Sequence, residues 1–293
     1  MHFSIGGIEV AVIVDEDDFG LPLSAFLPEL DVATLEPDRH WLDPEFVRLD
    51  RDLLRCAIQS FVLRLDGRTV VVDTCIGEHK DRPQIQAWHR RSGTGWLNRL
   101  RAAGVTPESV DLVFCTHLHI DHVGWNTVGS DGKWTPTFPN ARYLMGEREL
   151  ADWQARMSDG TAEAIQLPGL LDSVLPLLDA GRVDLVHDGM EIAAGAAVLP
   201  LPGHTSGQVG LRLDRPDGRA VFCGDTIHSP VQILQPAVST ASCRNPAQAA
   251  RTRIALLEEA AANGRVIIPA HFRGGRRVTV ERQGNAFRSL FPD

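Results

Sequence analysis

Four side chains able to hold a metal ion, His117, His119, Asp121 and His122, fall within six residues, directly after the apolar run Asp111-Leu112-Val113-Phe114-Cys115. Imidazoles and carboxylates crowded at the end of a buried strand are strongly disfavoured unless a cation coordinates them. The fold must therefore bring this strand end to an edge where other residues can complete a site. In extended chain the His117-x-His119 spacing puts both rings on one side, where they can grip one ion. Asp121 and His122 follow where the chain turns into a loop or helix, so they point elsewhere and can hold a second.

Three later residues occupy similar surroundings. His204 lies in Leu201-Pro202-Gly203-His204-Thr205-Ser206-Gly207, Asp225 in Phe222-Cys223-Gly224-Asp225, and His271 in Pro269-Ala270-His271, each after an apolar strand. Alone, His204 or His271 reads equally well as a packed polar side chain. Together with the 117–122 cluster they deliver five histidines and two aspartates to one edge, the layout of a dinuclear site.

Elsewhere the pattern is of strand hairpins followed by helices. Residues 5–14 read as strand with a Gly-Gly break. Residues 60–73 read as a hairpin about Asp66-Gly67, and 209–225 as a second about Asp217-Gly218. Residues 83–104 suggest two helices divided at Ser92-Gly93-Thr94-Gly95. The best helix is Pro246 to Asn263, with Pro at its start and Gly264 at its end. Strands are also expected over 111–115, 182–186, 196–201 and 266–271, and the stretch after His271 reads as a short tail. Two irregular or helical segments, 15–45 and 147–180, read as insertions shaping a substrate pocket, with Phe19, Phe26, Trp41, Trp125 and Trp134 as candidate walls. Without a linker or low-complexity stretch, residues 1–293 are expected to form a single domain.

Composition narrows the function. The formal charge is −9 with no Lys/Arg run, which argues against a general nucleic-acid surface. No apolar run approaches a membrane span and the N-terminus lacks a signal-peptide pattern, so a cytoplasmic protein is expected. The five cysteines, an odd number without CxxC, read as packed reduced thiols, Cys75 among them.

Thr116-His-Leu-His-Ile-Asp-His-Val-Gly124, Pro202-Gly-His-Thr-Ser-Gly207, Gly224-Asp225 and Ala270-His271 resemble, in order, the motifs of the metallo-β-lactamase superfamily. The resemblance implies an αββα sandwich of two mixed β-sheets with outer helices. It puts His117, His119 and His204 on one metal and Asp121, His122 and His271 on the other, with Asp225 bridging. It implies two divalent ions, zinc above all, although manganese, iron or cobalt also accept these ligands. The implied chemistry is hydrolysis by a metal-bridging hydroxide that Asp121 orients. Asp73 lies where the superfamily has an aspartate supporting the first metal-binding histidines.

Among branches, the sequence is most similar to the lactonases and the methyl-parathion-hydrolase-like enzymes. Export and the replacement of Asp225 expected of true β-lactamases are missing, as are a helical extension for glutathione thioesters, a flavin domain, and the basic exosites of nucleases. Lactonases carry a tyrosine three residues after the bridging aspartate. Here His228 stands in that place, as an oxyanion donor or as a rim residue. The expected substrate is a small, neutral to hydrophobic lactone or carboxylic ester, with phosphotriesters as a promiscuous target. A dedicated organophosphate or aryl-ester hydrolase is one alternative, and an iron-containing redox or metal-sensing protein is another. No nucleic-acid or membrane partner is expected, and a homodimer is an open option.

Overall fold

Alternation along the strands decides which core each residue joins. The computed structural model describes residues 1–130, 133–216, 218–284 and 286–291. In chain order, β1 (His2–Ile5) and β2 (Ile8–Pro22) form a hairpin, followed by the short helices α1 (Leu23–Phe26) and α2 (Arg39–Leu42). Then come the edge strand β3 (Val47–Arg48), β4 (Leu53–Leu65), β5 (Arg68–Val72), helix α3 (Trp96–Ala102) and β6 (Leu112–Phe114). A separate hairpin, β7 (Thr127–Ser130) and β8 (Lys133–Pro136), precedes β9 (Arg142–Gly146). The helical stretch after it comprises α4 (Glu147–Ser158), α5 (Leu167–Gly169), a π-helical turn over Leu170–Val174 and α6 (Leu175–Asp179), and leads to β10 (Val183–Val186). The first sheet runs β1-β2-β4-β5-β6-β9-β10, with β3 on β4, antiparallel at one side and parallel from β5 onwards.

The second sheet is β11 (Glu191–Ala193), β12 (Ala196–Pro200), β13 (Val209–Arg215), β14 (Gly218–Gly224) and β15 (Val266–Pro269), antiparallel except for the β14–β15 pair. Between its last two strands lie α7 (Val231–Leu234) and α8 (Pro246–Asn263), and a hairpin of β16 (Thr279–Gln283) and β17 (Ala286–Leu290) follows.

Three apolar cores stack between these layers. Val70 and Val72 face inwards with Phe61 and Phe114, against Leu211, Phe222 and Ile268 of the second sheet; the Phe61 and Phe222 rings lie 5.3 Å apart. Val71, pointing the other way, joins Val113 and Tyr143 under Trp96, Leu100, Trp153 and Leu177 of the helices. On the far side, Val221, Cys223 and Ile267 pack on Leu256, Leu257 and Ala260 of α8. Both sheets bury both faces, and the result is the expected αββα sandwich.

Helix α8 has the expected ends. The Asn245 side chain accepts from the Gln248 N–H at 3.0 Å, Pro246 follows, and Gly264 takes the left-handed conformation at the other end. Other expectations are corrected. The chain over 83–91 forms turns rather than a helix, because its side chains are tied to neighbouring segments: Arg82 to Asp172, and Arg91 to Asp15 and to the Gly77 carbonyl. Residues 15–22 are not irregular but prolong β2, pairing with β4 through two bulges. The stretch after His271 carries the β16–β17 hairpin, and β7, β8 and β11 had no expected counterpart. Asp217 of the second Asp-Gly turn lies outside the described residues.

Candidate metal centre

β5, β6, β12, β14 and β15 all end at one edge of the sandwich, and the residues just beyond them converge. Asp73 follows β5, His117 lies three residues after β6, His204 follows the end of β12, Asp225 abuts β14, and His271 follows β15. Gly224 is needed for this convergence. Its φ of 50° is left-handed, and a Cβ there would meet Thr116 Oγ1 at 2.7 Å, so no other residue fits between β14 and the His117 loop.

The side chains fall into two groups about Asp225. His117, His119 and His204 surround its Oδ2, with His204 Nε2 at 3.2 Å and His117 Nε2 at 3.6 Å. Its Oδ1 meets His271 Nε2 at 3.0 Å and His122 Nε2 at 3.2 Å, and Asp121 Oδ2 lies 3.7 and 3.6 Å from the same two nitrogens. All these side chains are buried except Asp121, which is partly exposed at the cleft.

Hydrogen bonds behind the rings set their tautomers. His122 Nδ1 donates to Asp73 Oδ2 at 2.9 Å, and His271 Nδ1 donates to the Ala57 carbonyl at 2.8 Å. Thr116 Oγ1 gives its only proton to Asp73 Oδ2, so it accepts from His117 Nδ1 at 3.1 Å. His204 Nδ1 has Cys243 Sγ at 3.7 Å. His117, His122 and His271 thus each turn a bare Nε2 lone pair inwards. Asp73 departs from expectation, because the ring it holds directly is His122 and it reaches His117 only through Thr116.

Two observations test whether these residues suit metal ions. His117 Nε2, His122 Nε2 and Asp225 Oδ1 are buried with no hydrogen-bond partner. His204 Nε2 and His119 Nδ1 lie 3.0 Å apart, close enough to share one proton or one cation. Burial pushes the His117 and His119 pKa values well below the ordinary range, with their histidine neighbours adding to the effect, which keeps both rings neutral. Burial would raise Asp225, but the surrounding histidines, His271 first, hold it well below the usual carboxylate range. Burial lowers His122, His204 and His271, but Asp225 outweighs it and holds all three above the ordinary imidazole range, His204 at about 9, so these rings give up a proton when an ion binds. Imidazoles around an ionised carboxylate form a donor set that fits divalent ions.

His228 also reaches the centre. Its Nε2 lies 3.1 Å from Asp225 Oδ2, its ring stacks on His271 at 15° and 5.4 Å, and Phe26 packs edge-on against it at 5.4 Å. Above the centre is a cleft walled by Phe19, Phe26, Ile85, Trp88 and Ile165, with Gln166 at its side; no lysine or arginine lines it among the described residues. Phe19 and Phe26 were expected there. Trp41 instead packs on Phe46 and Phe291, Trp125 stacks on Trp96 in the core, and Trp134 covers the Lys80 ammonium. Ile85, Trp88 and Ile165 had not been singled out, since nothing local marks a lone apolar residue in a turn as a pocket wall.

A family profile described as the metallo-beta-lactamase superfamily matches residues 53–271. A hydroxyacylglutathione hydrolase of Brucella anthropi is 27% identical over 182 residues, covering 59% of this chain and 52% of the relative, so the chain spans about half the length of that curated relative. Among solved structures, AidC, a dizinc quorum-quenching lactonase in complex with a product, aligns with a TM-score of 0.81 at 19% identity, covering 100% of this chain and 97% of that one. The hydrolase AbOPH aligns at 0.78 and 20% identity over 100% and 97%. A probable metal-dependent hydrolase from Staphylococcus aureus aligns at 0.73 and 16% over 99% of each chain. These structural likenesses show the fold.

Proposed function

The chain belongs to the metallo-β-lactamase superfamily, and from that premise we propose that it is a dinuclear-metal hydrolase acting on a small, neutral lactone or carboxylic ester. His117, His119 and His204 would hold one ion and Asp121, His122 and His271 the other, with Asp225 between them. Two divalent ions, zinc foremost, would supply an activated water at neutral pH and polarise the carbonyl under attack.

The rest falls to the protein's own groups. Asp121, partly exposed at the cleft floor, orients the attacking water and passes a proton to the leaving oxygen. His228 is neutral at pH 7, because burial pushes its pKa down to about 4. Its Nδ1 is buried and unpartnered, so Nε2 is the atom it turns towards the reacting centre, where it can donate to the developing oxyanion.

The observation that carries the substrate reading is the cleft wall. Phe19, Phe26, Ile85, Trp88 and Ile165 offer apolar surface without a fixed positive charge, which favours a neutral acyl substrate over an anionic one. AidC, a lactonase, was solved with the product N-hexnoyl-L-homoserine, which agrees with this class. His228, where lactonases carry tyrosine, favours a second reading, a dedicated organophosphate or aryl-ester hydrolase. The five buried, unpaired cysteines suit a reducing compartment, and we place the protein in the cytoplasm on that ground. Among the described residues no helix is long and apolar enough to cross a membrane.

The deciding experiment measures metal content alongside turnover of lactones, aryl esters, thioesters and phosphotriesters. Lactone or alkyl-ester hydrolysis with about two metals per chain is expected. Phosphotriester turnover far above the rest would favour the second reading. Redox-active iron with no hydrolysis across the panel would sink both.

A further inference from the structure

Glu149 is 1% exposed, sits in the first turn of α4, and takes no direct part in the centre described above. Its two carboxylate oxygens are divided between two loops. Oε1 accepts from the backbone N–H of Leu118 at 3.1 Å and from the Trp153 indole at 2.9 Å, while Oε2 accepts from the backbone N–H of Gly207 at 3.1 Å. Leu118 lies between His117 and His119, and Gly207 lies three residues after His204. One buried carboxylate therefore joins the two loops that supply this group of histidines, one loop from each sheet.

The packing around it leaves no slack. A Cβ on Gly207 would collide with the Glu149 backbone nitrogen, and one on Gly146 would meet the Gly207 carbonyl at 2.9 Å. The indole that donates to Oε1 also packs edge-on against His119, ring centroids 5.9 Å apart. Glu149 thereby touches the backbone on both sides of the group and, through Trp153, one of its rings. The His122 and His271 rings have supports of their own in Asp73 and the Ala57 carbonyl, and Glu149 bonds to neither ring.

We infer that Glu149 is a positioning residue for the metal held by His117, His119 and His204, and not for the ion on the other side of Asp225. The inference rests on the proposed reading of those three histidines as ligands of one ion. Glutamine cannot replace the carboxylate. It has one acceptor oxygen, so its NH2 must face an N–H of one loop or the other, and one arm of the tie breaks.

The test titrates metal-free protein with cobalt(II), following heat and the visible absorption of each binding step. Wild type should bind two ions. E149Q should keep one step at wild-type affinity and weaken the other by about 10–100-fold, the range for losing a partner behind a ligand. W153F removes the indole donor but leaves both loop bonds, and should keep both steps within a few-fold. Wild-type affinity at both steps in E149Q, or weakening of both steps alike, would overturn the inference. Hydrogen exchange on metal-free wild type is a second check that needs no variant. The Leu118 and Gly207 amides should be protected before metal is added, and free exchange at both would contradict a preformed tie. Wild type that binds no metal would instead overturn the ligand reading itself.

Discussion

Asp225 lies within 3.6 Å of ring nitrogens from both histidine groups and from His228. Removing it would leave those rings facing one another with no anion between them, so Asp225→Ala should lose metal and all turnover. Full activity with both ions bound would contradict the bridging role. His228 predicts a different pattern. His228→Ala should lower kcat on the order of 100-fold, as for loss of an oxyanion donor, with metal content unchanged. Unchanged kinetics would reduce His228 to a rim residue. At this scale the sequence was informative wherever a residue sat in a local motif. The one-residue spacing of His117 and His119 implied rings on one side, and their centroids lie 4.6 Å apart. Glu149, Cys243 and Thr116 carried no such signal. Their partners are 31 or more positions away, or are ring atoms whose orientation only the assembled fold decides.

Elements are tied to the cleft by buried charge. Lys80, from the turn-rich segment before α3, is fully buried with its ammonium 2.6 Å from Thr127 Oγ1, 3.2 Å from the Asp172 carbonyl and over the Trp134 ring. Asp172 lies in the π-helical turn and also receives a two-pronged bond from Arg82 at 2.7 and 3.1 Å. These bonds join the segment carrying Ile85 and Trp88 to the helical stretch carrying Ile165. They also explain why residues 83–91 gave a false helical signal: tertiary bonds override a weak local propensity. Burial pushes the Lys80 pKa from its ordinary 10.5 down to about 7, against the opposing pull of Asp172. Between those values the unfolded chain holds a proton that the folded chain has released, so unfolding free energy rises with pH across this window. The wild-type slope between pH 7.5 and 9.5 should exceed that of Lys80→Met by up to about 1.4 kcal/mol per pH unit. Urea titrations across that range check it, and an equal or smaller wild-type slope would contradict it. Helix α8 gives a simpler case. Asn245→Ala removes the N-cap acceptor and should lower stability by about 1 kcal/mol, roughly 2–4 °C in Tm, with turnover little changed.

For the whole molecule, the sandwich was legible because its strands either run continuously apolar or alternate between two buried faces, and because five of them end in polar residues with no place in a core. What stayed hidden were pairings that depend on distant partners, such as the bulged run of β2 along β4 as far as Pro22 and the hairpin after His271. The same architecture predicts how metal couples to stability. Parallel strands of both sheets place their ends at one edge, and the seven proposed ligands come from four separate loops. Only the folded chain gathers them, so ions that bind there select the native state by mass action. With free metal at 100 times its dissociation constant, one such site adds about 2.7 kcal/mol, and chelation should lower Tm by roughly 5–10 °C for a chain of this size. The sheets should survive the loss, because the cores between and outside them contain none of the proposed ligands. Far-ultraviolet circular dichroism of the chelated protein should therefore match the loaded form at 25 °C, while its melting midpoint falls and recovers when metal is returned. A midpoint indifferent to metal would mean that the converging side chains do not hold ions in the native state. A lost sheet signal would mean instead that the strand ends need the ions in order to assemble.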